Sequence, residues 1–157
     1  SVRGVRRTKK AAEPAFDEIH TNEELDALLP DTDILVLALP ATGATKNILS
    51  AERIALLPRR AYVVNVGRGS AIDQTALVDA LNAGRIAGAA LDVFQREPLP
   101  KNDPAWTAKN LIVTPHISGQ MSLGYTRDRN VELFCEDLER YGKGEKPVRL
   151  VDRRIGY

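Results

Sequence analysis

Four short apolar runs constrain the fold of this chain more than any other feature. They cover 33–40, 62–66, 87–94 and 111–114, and helical segments or loops separate them. Their length, and the lack of polar alternation within them, are typical of strands buried on both faces of a parallel sheet. The sequence therefore predicts an α/β fold, in which right-handed crossovers place helices over parallel strands.

The helices of this fold are marked by capping residues. Residues with side chains suited to the N-cap stand before three of the predicted helices, at Thr21, Ser50 and Asp73. Glu24 completes a capping box with Thr21, and Gly84 is placed to end the helix that Asp73 begins. A long amphipathic helix is predicted over 122–141, with a polar, basic tail after it.

Charge and cysteine content exclude several classes of protein. The 157 residues carry 22 basic and 21 acidic side chains, a formal net charge of +1, so we expect neither a nucleic-acid partner nor a membrane partner. The apolar runs are much shorter than the ~18–20 residues that span a bilayer. The single cysteine, Cys135, rules out an internal disulfide and predicts a reducing, cytoplasmic compartment. We predict no metal site.

Several chemically reactive or ligand-binding side chains follow the predicted strands directly. In parallel sheets, ligands bind outside the carboxyl ends of the strands. The residues at these ends are Arg6 and Arg7, Pro40, Gly67-Arg68-Gly69, Asp92 and His116. The sequence therefore predicts one site assembled from loops that lie far apart along the chain.

The two histidines have different expected roles. His116 follows a predicted strand and Pro115, so its imidazole is expected to face the crevice, where it can act as a general acid or base. The alternative is a loop histidine that bonds a backbone carbonyl. His20 stands before a predicted helix and is expected to be an exposed turn residue.

Glu97 and Arg68 are further candidates, each with a plainer alternative. Glu97 precedes Pro98 in a stiff loop, where its carboxylate can orient an imidazole, or it is a solvated acid or a partner of Arg96. Arg68 lies between two glycines and can offer a bidentate fork to a carboxylate, or it is an exposed turn arginine.

Three motifs become specific when they are taken together. VNVGRG at 64–69, LDVFQREPLP at 91–100 and TPHISG at 114–119 occur in this order, and LPATGAT at 39–45 precedes them. In motif and spacing the chain closely resembles the nucleotide-binding domain of the D-isomer-specific 2-hydroxyacid dehydrogenases, over essentially its whole length. The resemblance implies a Rossmann-like, doubly wound parallel sheet.

The resemblance also implies an activity and a catalytic set. The family transfers a hydride between NAD(P)H and a 2-keto acid or D-2-hydroxy acid. Arg68 would bind and polarise the substrate's carboxylate and carbonyl oxygens, and His116 would donate or accept the proton. Glu97 would pair with His116 and keep it protonated during reduction. Formate-oxidising relatives have glutamine at the position of Glu97, so this glutamate argues against that branch.

A set of residues would line the cofactor cleft by the same resemblance. Pro40 would flank the adenine, Thr45 the ribose-phosphate track, and Val66 and Asp92 the nicotinamide. For Asp92 the alternative is a buried acid that pairs with a backbone amide. The full predicted set is Arg6, Arg7, Pro40, Thr45, Val66, Gly67, Arg68, Asp92, His116, Ser118 and Gly119.

The end of the first predicted strand bears on the choice between NAD and NADP. NAD enzymes of this fold usually place an acid there, to bind the adenine ribose hydroxyls. Here the run over 2–7 ends in Arg6 and Arg7, which can pair with a 2′-phosphate. The sequence therefore favours NADP slightly over NAD. The alternatives are that an arginine stacks on adenine, or that the basic run is a solvated loop.

The family's Gly-x-Gly-x-x-Gly turn has no counterpart in this sequence. Residues 2–7 resemble the family's second strand, so we expect an incomplete sheet that lacks the first strand and the Gly-rich turn. We expect 1–121 to be a partial NAD(P)-binding domain, and 122–157 a helix and tail that lead back towards a substrate domain. These residues alone are expected to be inactive, as part of a larger homodimeric enzyme. The alternative function is a dinucleotide-sensing, corepressor-like binding protein without turnover.

Overall fold

Two parallel sheets form the framework of the molecule. The computed structural model describes residues 1–8, 14–119 and 123–154. A two-stranded sheet pairs β1 (Arg3–Arg6) with β2 (Glu18–Thr21). A four-stranded sheet has the order β3-β4-β5-β6, formed by Ile34–Leu37, Tyr62–Asn65, Gly88–Leu91 and Leu111–Val113. The predicted α/β class and parallel, Rossmann-like sheet are confirmed.

Two α-helices begin directly after their predicted caps, Ser50 and Asp73, whereas Thr21 caps a 3-10 turn (Asn22–Glu24) that leads into the first α-helix. The α-helices are α1 (Leu25–Leu28), α2 (Ala51–Leu56), α3 (Gln74–Asn82) and α4 (Gly124–Gly142). The Ser50 hydroxyl accepts from the backbone N–H of Arg53 at 3.4 Å, and the Asp73 carboxylate accepts from that of Ala76 at 3.0 Å. Gly84 follows α3 with φ at +65°, which glycine adopts without steric penalty.

The main core lies on one face of the four-stranded sheet. β3 to β6 follow each other in chain order, and α2 and α3 connect the first three of them. Successive right-handed crossovers in one direction place both helices over the same face. Leu37, Val63 and Leu91 on that face share a buried cluster with Ile54 of α2 and Leu77 of α3.

The other face of this sheet corrects a prediction. Apolar side chains on it are exposed: 64% for Ile34, 58% for Val36, 52% for Tyr62 and 65% for Ile112. The strands were predicted to be buried on both faces. Because the sheet is wound in one direction, its own crossovers cover only one side, and no other element in the described part of the chain covers the second.

β1 and β2 form a separate unit beside this sheet, as expected for an incomplete strand order. Strand β2 was not predicted, because a four-residue strand with one buried apolar side chain, Ile19, leaves little periodic signal. His20 lies on β2 and is half-buried, so its prediction as an exposed turn residue is wrong. Its ring bonds the carboxylates of Glu18 and Glu24, at 2.9 and 3.1 Å.

The long C-terminal helix is confirmed as Gly124–Gly142, while its predicted start at Ser122 lies outside the described residues. Val131, Phe134 and Leu138, predicted to form its apolar face, are exposed. None of the described helices is long and apolar enough to cross a membrane.

Gly69 provides a test of how tightly the strand-end loops pack. A Cβ at this position would overlap the backbone carbonyl of Phe94. We expect Gly69→Ala to lower the free energy of unfolding by about 3 kcal/mol or more, because backbone cannot move aside as a flexible side chain can. Urea unfolding of the purified protein measures this. Gly43→Ala is the control, since a Cβ there meets nothing within 4 Å, and an equal loss in both variants would contradict the prediction.

Candidate active site

The loops that leave β3, β4, β5 and β6 lie side by side at the carboxyl edge of the sheet. Gly67, in the loop after β4, is packed so closely against the backbone of Leu39 that no Cβ would fit between them. On its other side Gly69 packs against Phe94, in the loop after β5. Small residues therefore wedge the loop that carries Arg68 between its two neighbours.

Glu97 and His116 form a direct pair across two of these loops. The Glu97 Oε2 atom lies 2.7 Å from His116 Nδ1, and Glu97 Oε1 accepts from the backbone N–H of Phe94 at 2.9 Å. The alternatives raised by the sequence are not observed: Glu97 pairs with His116 and not with Arg96, and the imidazole bonds a carboxylate and not a backbone carbonyl.

The surroundings of Glu97 keep its carboxyl group ionised, and this determines which nitrogen of the His116 ring donates to it. Burial by itself raises the pKa of Glu97, but hydrogen bonds from His116 and the Phe94 amide, with the charges of His116 and Arg68, lower it overall. An ionised carboxylate only accepts, so Nδ1 of His116 is the donor. Within the described residues, Nε2 of the half-exposed ring has no hydrogen-bond partner, so it is the nitrogen left for a ligand.

Arg68 completes the group with a positive charge. Its backbone is at the turn after β4, its side chain is exposed, and its Nη1 donates to the carbonyl oxygen of Gly67 at 2.8 Å. Its charge reaches Glu97 strongly enough to lower the pKa of that carboxyl. The structure thus brings the three predicted catalytic side chains to one edge.

Asp92 anchors the loop that carries His116. It is 4% exposed, and its carboxylate accepts from the Thr114 hydroxyl at 2.5 Å and from the backbone N–H groups of Ile117 and Ser118 at 2.9 Å each. Burial raises the pKa of Asp92, but the hydrogen bonds from Ser118, Thr114 and the two amides outweigh it and hold the pKa well below its usual range. The alternative raised for Asp92, a buried acid bonded to backbone amides, describes these contacts.

The backbone of His116 is unusual and is held by the same anchor. Its φ is +55°, in the left-handed region that non-glycine residues rarely adopt. The His116 N–H donates to the Asp92 carbonyl oxygen at 2.9 Å, so both the backbone and the side chain of Asp92 fix this turn. The strained backbone of His116 therefore sets the direction of its imidazole, and the hydrogen bonds to Asp92 hold that backbone in place.

The remaining predicted residues lie along the same edge or on β1. The Thr45 hydroxyl donates to the Pro40 carbonyl oxygen at 2.6 Å, so its observed contacts close its own loop. Val66, Ser118 and Gly119 are exposed, and Gly67 is buried. Arg6 ends β1, and Arg7 follows it. Hydrogen bonds from Arg154 are the main cause of the lowered pKa of Asp152, and the nearby charge of Arg7 lowers it further. The predicted contacts of these residues with a cofactor stay predictions.

Two polar residues at this edge were not identified from the sequence. Asn65, the last residue of β4, bonds both the Gly67 N–H and the Arg68 carbonyl. Gln95 donates through its side chain to the Ile72 carbonyl at 2.8 Å and stiffens the segment before Glu97. The available signal was a polar amide beside a glycine-rich or proline-rich turn, which alone does not separate a ligand contact from a loop anchor.

Comparison with known proteins agrees with the resemblance carried by the motifs. Residues 1–118 match the model of the D-isomer specific 2-hydroxyacid dehydrogenase family, NAD binding domain. The chain belongs to this family. The match ends inside the His116 loop, so this 2-hydroxyacid dehydrogenase domain has all three candidate catalytic residues within the matched range.

Two relatives show the extent of the similarity. It is 40% identical over 132 residues to a glyoxylate reductase of Thermofilum pendens, covering 84% of this chain and 38% of the relative. It is 36% identical over 145 residues to glyoxylate/hydroxypyruvate reductase A of Salmonella paratyphi B, covering 92% and 45%. The chain therefore spans less than half the length of these relatives.

Solved structures give the same family and fold. A D-isomer specific 2-hydroxyacid dehydrogenase from Xanthobacter autotrophicus Py2, in complex with NADPH and MES, is 40% identical with a TM-score of 0.86, covering 99% of this chain and 62% of that one. An NADPH-dependent glyoxylate/hydroxypyruvate reductase from Sinorhizobium meliloti, in complex with NADP and sulfate, is 31% identical with a TM-score of 0.81, covering 99% and 49%.

Replacing the Asp92 carboxylate tests its role as an anchor. Asp92→Asn puts an NH₂ group where a carboxylate oxygen accepts a backbone N–H, so we expect a loss of about 1–3 kcal/mol in the free energy of unfolding at pH 7. Since the folded-state pKa is lowered, the carboxylate stabilises the fold above the unfolded-state pKa of about 3.9, and this contribution is lost as the pH falls towards the folded-state pKa.

Urea unfolding at several pH values measures both effects. The gap between wild type and Asp92→Asn should be constant above about pH 5 and narrow below about pH 4. Asp128→Asn, at an exposed position on α4, is the control and should change stability by less than about 0.5 kcal/mol. A gap that widens on acidification would contradict the assignment.

Proposed function

We propose that these residues form the nucleotide-binding part of an NAD(P)-dependent reductase that converts 2-keto acids to D-2-hydroxy acids. The observation that carries the proposal is the 2.7 Å contact between Glu97 and His116 Nδ1, with the exposed Arg68 charge acting on the same carboxylate. A proton donor and an anion-binding group stand together at the edge where parallel sheets bind ligands.

The edge fits a dinucleotide cofactor. Val66 and His116 are exposed there, and a Cβ on Gly119 would meet no atom within 4 Å, so these residues are accessible to a ligand. The residues that would hold the cofactor are Arg6, Arg7, Pro40 and Thr45 towards its adenosine half, and Val66, Gly67, Asp92, Ser118 and Gly119 towards its nicotinamide half. When bound, the cofactor supplies the hydride.

The catalytic roles follow from the charges of the three side chains. Arg68 binds the substrate carboxylate through its planar guanidinium. His116 gives a proton from Nε2 to the keto oxygen, and Glu97 holds the ring through Nδ1 and balances its positive charge. As negative charge develops on the keto oxygen, both cations stabilise it. In the oxidative direction His116 accepts the proton instead.

The substrates are proposed to be short 2-keto acids of the glyoxylate and hydroxypyruvate class. The names of the relatives support this, since both Thermofilum pendens and Salmonella paratyphi B proteins are named as reductases of such acids. We further propose a domain boundary near residue 121, a substrate domain outside these residues, a homodimer and a cytoplasmic location. Light scattering of the full-length protein at micromolar concentration tests the dimer, and a monomer mass would contradict it.

His116→Ala in the full-length protein tests the proton donor. We expect kcat for 2-keto acid reduction to fall by about 10²–10⁴-fold, because general acid catalysis is lost. The affinity for NADPH, measured by fluorescence titration, should be nearly unchanged.

The control for this variant is His20→Gln, which changes the histidine of β2, whose ring bonds Glu18 and Glu24, and it should keep near-normal kcat. Near-normal kcat in His116→Ala, across a panel of glyoxylate, hydroxypyruvate and pyruvate, would show that another group donates the proton.

Arg6 and Arg7 give a prediction on cofactor choice. We propose a preference for NADPH over NADH, because a guanidinium at the end of β1 can pair with the 2′-phosphate. Arg6→Ala and Arg7→Ala should each reduce kcat/KM for NADPH by roughly tenfold, the effect of losing about 1.4 kcal/mol, with little effect on NADH. A strong NADH preference that survives both substitutions would refute the proposal.

A further inference from the structure

Asn65 has a buried side-chain amide whose nitrogen and oxygen are both hydrogen-bonded to the turn that follows it. It is 1% exposed at the end of β4. Its Nδ2 donates to the Arg68 carbonyl oxygen at 3.0 Å, and its Oδ1 accepts from the Gly67 N–H at 3.1 Å. Buried polar atoms need such partners, so the side chain is locked and locks the turn in return.

The guanidinium of Arg68 is hydrogen-bonded to the same turn. Arg68 Nη1 donates to the Gly67 carbonyl oxygen at 2.8 Å, and the Gly67 N–H is the group that Asn65 accepts. Asn65 holds the peptide on each side of this carbonyl, the 66–67 peptide through the Gly67 N–H and the 68–69 peptide through the Arg68 carbonyl. It thereby fixes the Gly67–Arg68 peptide, to which the guanidinium is bonded. The Ala71 N–H also donates to the Arg68 carbonyl, but it holds only that end of the turn.

Asn65 also connects the turn to the other half of the site. Its backbone carbonyl accepts from the Asp92 N–H at 3.0 Å, and Asp92 anchors the loop of His116. The turn itself cannot shift sideways, because Gly67 and Gly69 are wedged against Leu39 and Phe94. The close contacts of the two glycines fix the position of the turn, and the hydrogen bonds of the Asn65 side chain fix its orientation.

We propose that Asn65 is a positioning residue that aims Arg68 at the substrate carboxylate. This rests on the proposed function of Arg68. Asparagine suits the task because it has a donor and an acceptor on one planar group. Aspartate at this position keeps an acceptor for Gly67 but puts a carboxylate against the Arg68 carbonyl, which repels the turn and frees the guanidinium.

The test is a double-variant cycle in the full-length protein, with Asn65→Asp and Arg68→Gln alone and combined. Asn65→Asp should lower kcat/KM for the 2-keto acid by about 10- to 100-fold, mainly through KM, which corresponds to about 1.4–2.8 kcal/mol of lost binding. KM for NADPH should stay within about twofold. In the Arg68→Gln background the same change should cost less than about threefold, because its target is already gone.

Asn110→Asp is the control for the change of an amide to a carboxylate. Asn110 Nδ2 also donates to a backbone carbonyl, that of Ala87 at 3.0 Å, but at the opposite edge of the sheet. Because Asn110 is exposed, its change should affect stability little, and it should leave KM for the 2-keto acid unchanged. If Asn65→Asp does not fold, Asn65→Ser keeps a hydroxyl for the turn and replaces it in the cycle.

The outcomes separate this inference from the proposed function. A wild-type protein that reduces no 2-keto acid would refute the function. Turnover with multiplicative losses in the double variant, or with a parallel rise in KM for NADPH, would overturn the positioning role alone. A crystal structure of Asn65→Asp with Arg68 still bonded to the Gly67 carbonyl would overturn that role irrespective of turnover.

Discussion

Winding a parallel sheet in one direction determines both what this chain assembles and what it leaves bare. β3 to β6 lie in chain order, so each strand delivers its following loop to the same edge, beside the loop of the previous strand. Residues that are far apart in sequence, such as Arg68 and His116, become neighbours in this way. The same winding places α2 and α3 on one face and leaves apolar side chains exposed on the other.

A shared edge by itself does not orient side chains, and here two buried polar groups do so. Asn65 holds the turn of Arg68, and Asp92 holds that of His116 in its left-handed conformation, which costs on the order of 1–3 kcal/mol. A backbone hydrogen bond joins the two anchors. Buried residues at the strand ends thereby fix the positions of two exposed side chains, Arg68 and His116. The charges of both act on the Glu97 carboxylate.

Local signals in the sequence predicted much of this arrangement. Ser50, Asp73 and Gly84 mark helix ends because caps act within a few residues, and strand-end motifs mark the loops because strand ends meet at one edge. The exposure of Ile34 was not predictable in this way, because the burial of a strand depends on which elements cover it. The anchoring role of Asn65 was also not predictable, because the sequence pattern of an asparagine at a strand end is the same whether its side chain binds a ligand or its own turn.

A crystal structure of the full-length protein with NADPH and oxamate, a 2-keto acid analogue that resists reduction, tests the assignment of the site most directly. Arg68 is expected to donate to the oxamate carboxylate, and His116 Nε2 to the adjacent carbonyl oxygen, at about 2.7–3.2 Å. Glu97 is expected to remain bonded to Nδ1. Oxamate bound away from the 66–69 and 114–119 loops, or bound there without contact to either cation, would contradict the account.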